Sequence, residues 1–440
     1  MQTTQLASIA VKEGRKGGAD DVAATCVTED VKMIRFSNNQ VTVSKAWRSS
    51  AISIMVVIKK KVAIAAVEDL SHSSIKNTVD YLIRIAKAIK PNRDQAPLPS
   101  GPFRYRTSPS PHSTQSSNLM DYVRVAIESA TSRGAERVAG TLLSRNIFTE
   151  LETSAAASGS DTLSSLEMSV RVFADGEASG QANSISRSEK DFHPDEAGQK
   201  AAEIARTALN PIEGETGKYD VVVGPNVFAS LMNDVMSAAS AFNVDAGLSF
   251  LTNMLGKKIA SNHFTLVDDG TLSTGLNSRA FDDEGVPTRK TAVIENGVLR
   301  SYLHNSSTAQ KFKSSTTANA GWIVPQPWNI VIEKGHLDEE KMLHELDNGI
   351  YITNNWYTRF QDYRAGDFST VCRDGLFRVK AGRIIQSLKG LRISDNLPRI
   401  LKNISALSNK QHWIKWWEVE SPTLTPYAII RNVNLTRTAR

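Results

Sequence analysis

Eight histidines, at positions 72, 112, 193, 263, 304, 336, 344 and 412, are the first candidates for metal chemistry. No two are three to five residues apart, so none shares a helical face with another as zinc ligands on one helix do. His344-Glu345 opens like a zinc-peptidase motif, but the residue four on from His344 is Asn348. Asp338 as an N-cap would leave His336 outside that helix, which breaks up His336, Glu340 and His344 as a triad. The only cysteines, Cys26 and Cys372, sit far apart in β-type runs and read as small buried hydrophobes. There is no Gly-x-Ser-x-Gly and no phosphate-binding loop. One acidic run stands out: Asp282, Asp283 and Glu284 between Phe281 and Gly285. Three adjacent carboxylates can hold a cation or line a groove. The plainer expectation is an exposed turn whose acids accept backbone N–H groups, and Asp268-Asp269-Gly270 reads the same way.

The elements that would position these residues follow from hydrophobic period and turn chemistry. The chain has 440 residues, 40% hydrophobic and 22% charged, an ordinary globular composition with length for two or three domains. Residues 5–17 read as a helix. Short strands follow at 23–29, 32–38, 40–46, 51–58 and 62–66, turned at Asn38-Asn39 and at Lys59-Lys60-Lys61. Residues 71–90 carry a helical stripe of Ile75, Val79, Leu82, Ile83 and Ala86 that Pro91 stops. Six of the fifteen prolines lie in residues 91–117, which read as a loop or linker. A helix from 118 to 133, strands at 137–144, 147–153 and 164–174, and a helix at 196–208 complete a second pass of strands then helix. The first half is therefore α+β, with the pattern of a duplicated unit. After Asn210-Pro211, a short strand at 219–223 leads through Gly224-Pro225 into a helix. Many short strands follow, as in a barrel or sandwich. The expected domains are 1–212, α+β, and 213–440, β-rich with a short helix at its start.

Net charge is +6, and residues 389–440 hold nine Lys/Arg against Asp395, Glu418 and Glu420. A basic tail can meet nucleic acid or an anionic surface, but no zinc-finger, RNP-type or zipper pattern accompanies it. No run reaches the ~20 apolar residues of a membrane helix, and the start lacks a signal-peptide core. The expectation is a cytoplasmic protein without disulfides. Six of seven tryptophans fall in 322–417, which marks the second half as the aromatic one.

The stretch FDDEGVPTRKTAVIENGVLRSYLHNSSTAQKF (281–312) resembles the TldD/PmbA family. Supporting stretches are Val223-Gly224-Pro225 before a helix, Leu266 to Gly270, GDFSTVCRDGLFRVKAGRI (366–384), and the closing Ser421-Pro422-Thr423 and Tyr427-Ala428. The family comprises zinc peptidases and carries an older name, modulators of DNA gyrase. Its TldD branch bears His-Glu-x-x-x-His on the helix after the Gly-Pro turn and, late in the chain, a cysteine ligand. Its TldE/PmbA branch lacks the motif. On that register Asn233 stands for the first histidine, Asp234 for the glutamate and Ala238 for the second histidine. Residues five apart on a helix are offset by roughly 140°, so such a ligand pair demands a dedicated geometry. Ala238 has no donor atom, and no cysteine follows Trp416-Trp417-Glu418.

The resemblance thus implies a TldE/PmbA-like subunit of a TldD/TldE metallopeptidase complex, with no catalytic residue, no metal and no cofactor of its own. The zinc would sit in a TldD-like partner, and the substrates would be unfolded or short polypeptides. Homodimer and heterodimer both remain open, with the Trp-rich half as the expected contact surface. Two other readings stand beside it: a stand-alone regulatory, gyrase- or nucleic-acid-associated binding protein, and an active metallopeptidase with atypical ligands.

Overall fold

The computed structural model describes residues 6–106 and 118–438. The first part is built from α1 (Leu6–Lys16), β1 (Asp21–Ser37), β2 (Gln40–Ile58), β3 (Lys61–Val67) and α2 (His72–Ala88). It continues with α3 (Leu119–Thr131), β4 (Arg137–Thr153), β5 (Ser158–Phe173), β6 (Ser179–Ser186) and α4 (Pro194–Thr207). Helix, three strands, helix occurs twice. The six strands form one antiparallel sheet in the order β3-β2-β1-β4-β5-β6. The first strands of the two units, β1 and β4, pair at its centre, and each unit runs outward from there. The doubled pattern of the sequence is thus a doubling of structure.

The short strand runs are joined into strands of 17 and 19 residues. Glu29 and Asp30 do not interrupt β1, because polar side chains leave its ladder to β2 and β4 intact and neither Gly nor Pro intervenes. The turns stand where turn chemistry placed them. Asn38 and Asn39 have φ of 50° and 63°, and Lys59 and Lys60 have 49° and 64°, the left-handed pairs of tight hairpins. Residues 91–106 form no helix or strand, yet they are not a free linker. Ala96 and Leu98 are buried, Ser307 Oγ accepts the Ala96 N–H, and Tyr105 donates to the Gly285 carbonyl. Residues 107–117, the rest of the Pro-rich stretch, lie outside the described residues.

The second part contains β7 (Ile212–Glu213), β8 (Gly217–Val223), α5 (Pro225–Ala238), α6 (Ala241–Asp245), β9 (Leu266–Asp269), β10 (Lys290–Glu295), β11 (Val298–Leu299), α7 (Ser306–Lys311) and β12 (Ile330–Ile332). Then come β13 (Asn348–Asp362), β14 (Asp367–Lys380), β15 (Arg383–Lys389), β16 (Leu391–Asn396), α8 (Leu397–Lys402), β17 (Ile404–Leu407), β18 (His412–Trp416), β19 (Val419–Thr425) and β20 (Ala428–Arg437). One sheet runs β11-β10-β9-β12-β19-β18. In the other, β13-β8-β20-β16-β14 returns to β13, so the pairings close a ring of five strands that β15 and β7 extend. The fold is α+β followed by β-rich, as expected. Residues 389–438 are no tail: they supply strands to both sheets. Lys389 pairs with Glu177, Arg399 with Asp395 and Arg431 with Asp220, while Arg437 donates to the Gly214 carbonyl. Trp417 alone of the six late tryptophans is exposed; Trp328 and Trp416 are buried.

Small residues set the spacing of α4. A Cβ on Gly198 would lie 2.3 Å from the Ala126 carbonyl oxygen of α3. Gly198→Val is expected to cost about 1–3 kcal/mol through overpacking, whereas Gly176→Ala, with nothing within 4 Å, should shift the denaturation midpoint little. Urea unfolding of both variants checks the pair.

Candidate functional site

Helix α5 starts where β8 ends. Pro225 takes the first helical position, where its missing N–H costs nothing. The helix is buried nearly all round, from Asn226 to Met232 and again at Val235, Met236 and Ala238. One polar stripe interrupts its apolar surface: Asn226, Ser230, Asn233 and Ser237, spaced to share a face. Each docks to a different element. Asn183 of β6 donates to Asn226 Oδ1 (2.9 Å). Asn355 of β13 lies 3.2 Å from Ser230 Oγ. Asn243 in α6 donates to the Ser237 carbonyl (2.8 Å).

Asn233 makes the fullest contact. Its Nδ2 donates to Thr423 Oγ1 (2.8 Å) and the Ser421 carbonyl (3.3 Å), and its Oδ1 accepts the Ser421 N–H (2.8 Å). A primary amide offers donor and acceptor side by side, so it pairs with β19 as another peptide would. Ala238 is buried and presents only a methyl group. Asp234, one position off the polar stripe, is partly exposed, with Oδ2 shut off from solvent and without a hydrogen-bond partner. Burial and the nearby Glu418 charge push its carboxyl up to about 7. Asp234, Ser237 and Ala238 line a cavity of about 330 Å3 with Asn243, Phe250 and Tyr363. Glu418 itself accepts the Tyr357 N–H (2.7 Å) beside a cluster of Trp356, Tyr357, Trp416 and Trp417.

The other end of α5 opens into a cleft of about 550 Å3 between the two parts of the molecule. His412 Nε2 and Glu339 Oε2 meet there at 2.7 Å, with Lys200, His193 and Tyr427 around them. The residues of this pair are 73 apart in sequence, and no local spacing announces them. Behind the cleft, Asp374 receives Arg171 (3.0 Å), Ser179 (2.7 Å) and Asn354 (2.8 Å), which ties the first sheet to the five-stranded ring.

The acidic run is placed elsewhere, and it is not an exposed turn. Asp282 and Asp283 are buried. The plainer chemistry holds nonetheless: Asp282 Oδ1 accepts the Glu284 and Val286 N–H groups, and its Oδ2 accepts that of Ala320. Asp283 pairs with Arg279 (2.8 Å), and Glu284 receives the Ser306 N–H and hydroxyl at the start of α7. Asp282 and Glu284 thus brace their own turn, Ala320 and the start of α7. Burial pushes the Asp282 carboxyl well above its usual value. Asp268, buried as well, holds Asn319 and the Trp328 N–H. Cys26 and Cys372 are buried and free, as read. Among the described residues no group of three His, Cys, Asp or Glu is arranged to hold a metal ion.

Two stability measurements follow. Asn233→Ala should lose about 1–3 kcal/mol, because the Ser421 N–H is left without its partner. Asp234 titrates near 7 in the fold against a usual 3.8, so the fold favours its neutral form. The stability this group contributes is present at low pH, falls as pH rises from about 4 to about 7, and is flat above. Asp234→Asn should therefore gain on the parent chain across that window, read as the difference in denaturation midpoints.

Comparison with known proteins agrees with this architecture. Residues 216–437 match the model of the PmbA/TldA metallopeptidase C-terminal domain. A metalloprotease of Methanothermobacter thermautotrophicus is 30% identical over 221 residues, 49% of this chain and 48% of that one. The alignments to the first curated relatives thus span about half of their length. A PmbA-type metalloprotease homologue of Haemophilus influenzae aligns over 430 residues, 92% of this chain and 91% of its own, at 25% identity. The crystal structure of TldE from Thermococcus kodakarensis superposes with a TM-score of 0.88 at 19% identity, covering 98% of this chain and all of that one. With half its length matched by the family's own domain and the same fold throughout, the chain belongs to the PmbA/TldD family.

Proposed function

We propose that this chain is the non-catalytic, TldE/PmbA-like subunit of a cytoplasmic metallopeptidase complex, in which a TldD-like partner carries the zinc and unfolded or short polypeptides are cleaved. One observation carries the reading. At the helix position where the catalytic branch would place its first histidine stands Asn233, whose amide is fully engaged with Ser421 and Thr423. The donor set does not fit a hydrolytic zinc. Such a site takes about three protein ligands and an open water position; here Ala238 has no donor atom, and Asp234 with Glu418 supplies carboxylates alone. No step of peptide hydrolysis is therefore assigned to this chain. Its own contribution would be shape: α5 held rigidly between two cavities. The stand-alone nucleic-acid reading rested on the cations of 389–440, and Lys389, Arg399 and Arg431 are paired within the fold. No helix among the described residues is long and apolar enough to cross a membrane.

The test is a casein or unfolded-peptide digest with this chain, with a zinc-bearing TldD-type homologue, and with both. Hydrolysis is expected only where the homologue is present, and elemental analysis of this chain alone should find no stoichiometric zinc. Light scattering should show a dimer, alone or with the homologue. Chelator-sensitive cleavage by this chain alone would overturn the proposal. Asn233→His with Asp234→Glu and Ala238→His should not create activity, since the late cysteine ligand is missing, and should lower stability by breaking the contact to β19.

A further inference from the structure

The cavity beside the second half of α5 has a chemistry of its own. Among its lining residues Asp234 is the one ionisable acid, and no lysine, arginine or histidine lies among them. Its Oδ2 has no donor. A desolvated carboxylate without a cation is an unfavourable arrangement, so the site gains most from a ligand that brings positive charge and N–H donors. Part of the lining is aromatic. The rings of Phe360 and Tyr363 stack at 4.9 Å and 14°, and Leu248 and Phe250 complete an apolar surround. Aromatic faces within about 6 Å attract an organic cation, while apolar walls accept the methylenes that carry it.

A metal ion fits poorly, because oxygen-ligated cations take six or more ligands and only the Asp234 carboxylate and nearby neutral oxygens are at hand. Arg364, next to the lining residue Tyr363, is already held by the Gly247 carbonyl (2.7 Å), and Arg359, next to Phe360, donates to the Thr358 carbonyl (2.8 Å). Glu418 lies close enough for its charge to act on Asp234, which adds to the negative potential a cation would meet.

We propose that this cavity binds a primary ammonium group of a polypeptide, either the α-amino terminus or a lysine side chain, against Asp234 and the Phe360–Tyr363 wall. The proposal rests on the polypeptide-handling role above and names which part of a chain this subunit would grip.

Calorimetric titration of the full chain tests it with four probes: trialanine, Nα-acetyl-trialanine, and Nα-acetylated peptides carrying one lysine or one arginine. Trialanine or the lysine peptide should bind, and which of them does identifies the source of the ammonium. Acetylated trialanine should bind at least about tenfold more weakly, the loss expected for one charge-assisted hydrogen bond. Asp234→Asn should reduce binding by a similar factor and Phe360→Leu by about threefold. Near-UV circular dichroism checks that both variants are folded. Binding of neither trialanine nor the lysine peptide above the level of acetylated trialanine, preference for the arginine peptide alone, or full affinity in the folded Asp234→Asn chain would each overturn the proposal. Assembly with a zinc-bearing homologue is measured separately. A chain that assembles but binds no amine refutes this site alone, and a chain that binds amine but never assembles refutes the subunit role.

Discussion

The polar stripe of α5 is the constraint from which the rest of the site follows. A helix apolar on every side can rotate or slide among its neighbours at modest cost, because dispersion contacts are nearly interchangeable. Three polar side chains on one face remove that freedom. Asn226, Ser230 and Asn233 reach respectively β6, β13 and β19, and each partner is a buried or half-buried polar group that would be costly to strand. The Ser237 carbonyl adds a hydrogen bond from Asn243 of α6. The helix therefore has one rotation and one height. That orientation fixes Asp234 toward the smaller cavity and the Gly224-Pro225 end toward the cleft.

The same logic joins the two parts of the molecule. Asp374 stands in the left-handed region, with φ of 57°, and its side chain is closed off from solvent. Arg171 and Ser179 from the first sheet meet Asn354 on this single carboxylate. Arg171 also lies over the Trp356 ring, 4.4 Å from its centroid, with Arg373 at 4.7 Å. The two cations and the indole stack connect the joint between the parts to the aromatic cluster that flanks Glu418. The joint is thus linked through Trp356, Tyr357 and Glu418 to the surroundings of Asp234.

How much of this was legible follows from the range of each signal. Asn38-Asn39 and the stripe of α2 depend on residues within a turn of one another, and both read correctly. The turn at Asp175 is as local: its carboxylate accepts the N–H groups of Glu177 and Ala178. Strand length did not read correctly, because continuity of a ladder depends on both neighbours rather than on the strand's own residues. The burial of Asp282 and Asp283 and the anchoring of Glu284 were equally out of reach: Ala320 and Ser306 lie 38 and 22 residues away from Asp282 and Glu284. The basic excess after 389 looked like a tail because its acids, Glu177 and Asp220, belong to distant segments. Of the α5 stripe, only Asn233 was singled out, as the position of a missing ligand; Asn226 and Ser230, at helical spacing from it, were not, and their side chains are interior contacts.

The amide of Asn233 is committed to structure. A histidine ligand must present a lone pair to an open space, and its other nitrogen needs a support. An asparagine at the same place needs donors and acceptors at once, and the edge of β19 provides both through Ser421. This amide holds the strand onto the helix. Asp234 is then left beside the residual space, under apolar and aromatic walls, where water solvates it poorly. A carboxylate in that position is either a burden on the fold or a recognition element. It is retained next to stacked rings and without a resident cation among the lining residues. That combination favours a ligand that supplies the charge from outside.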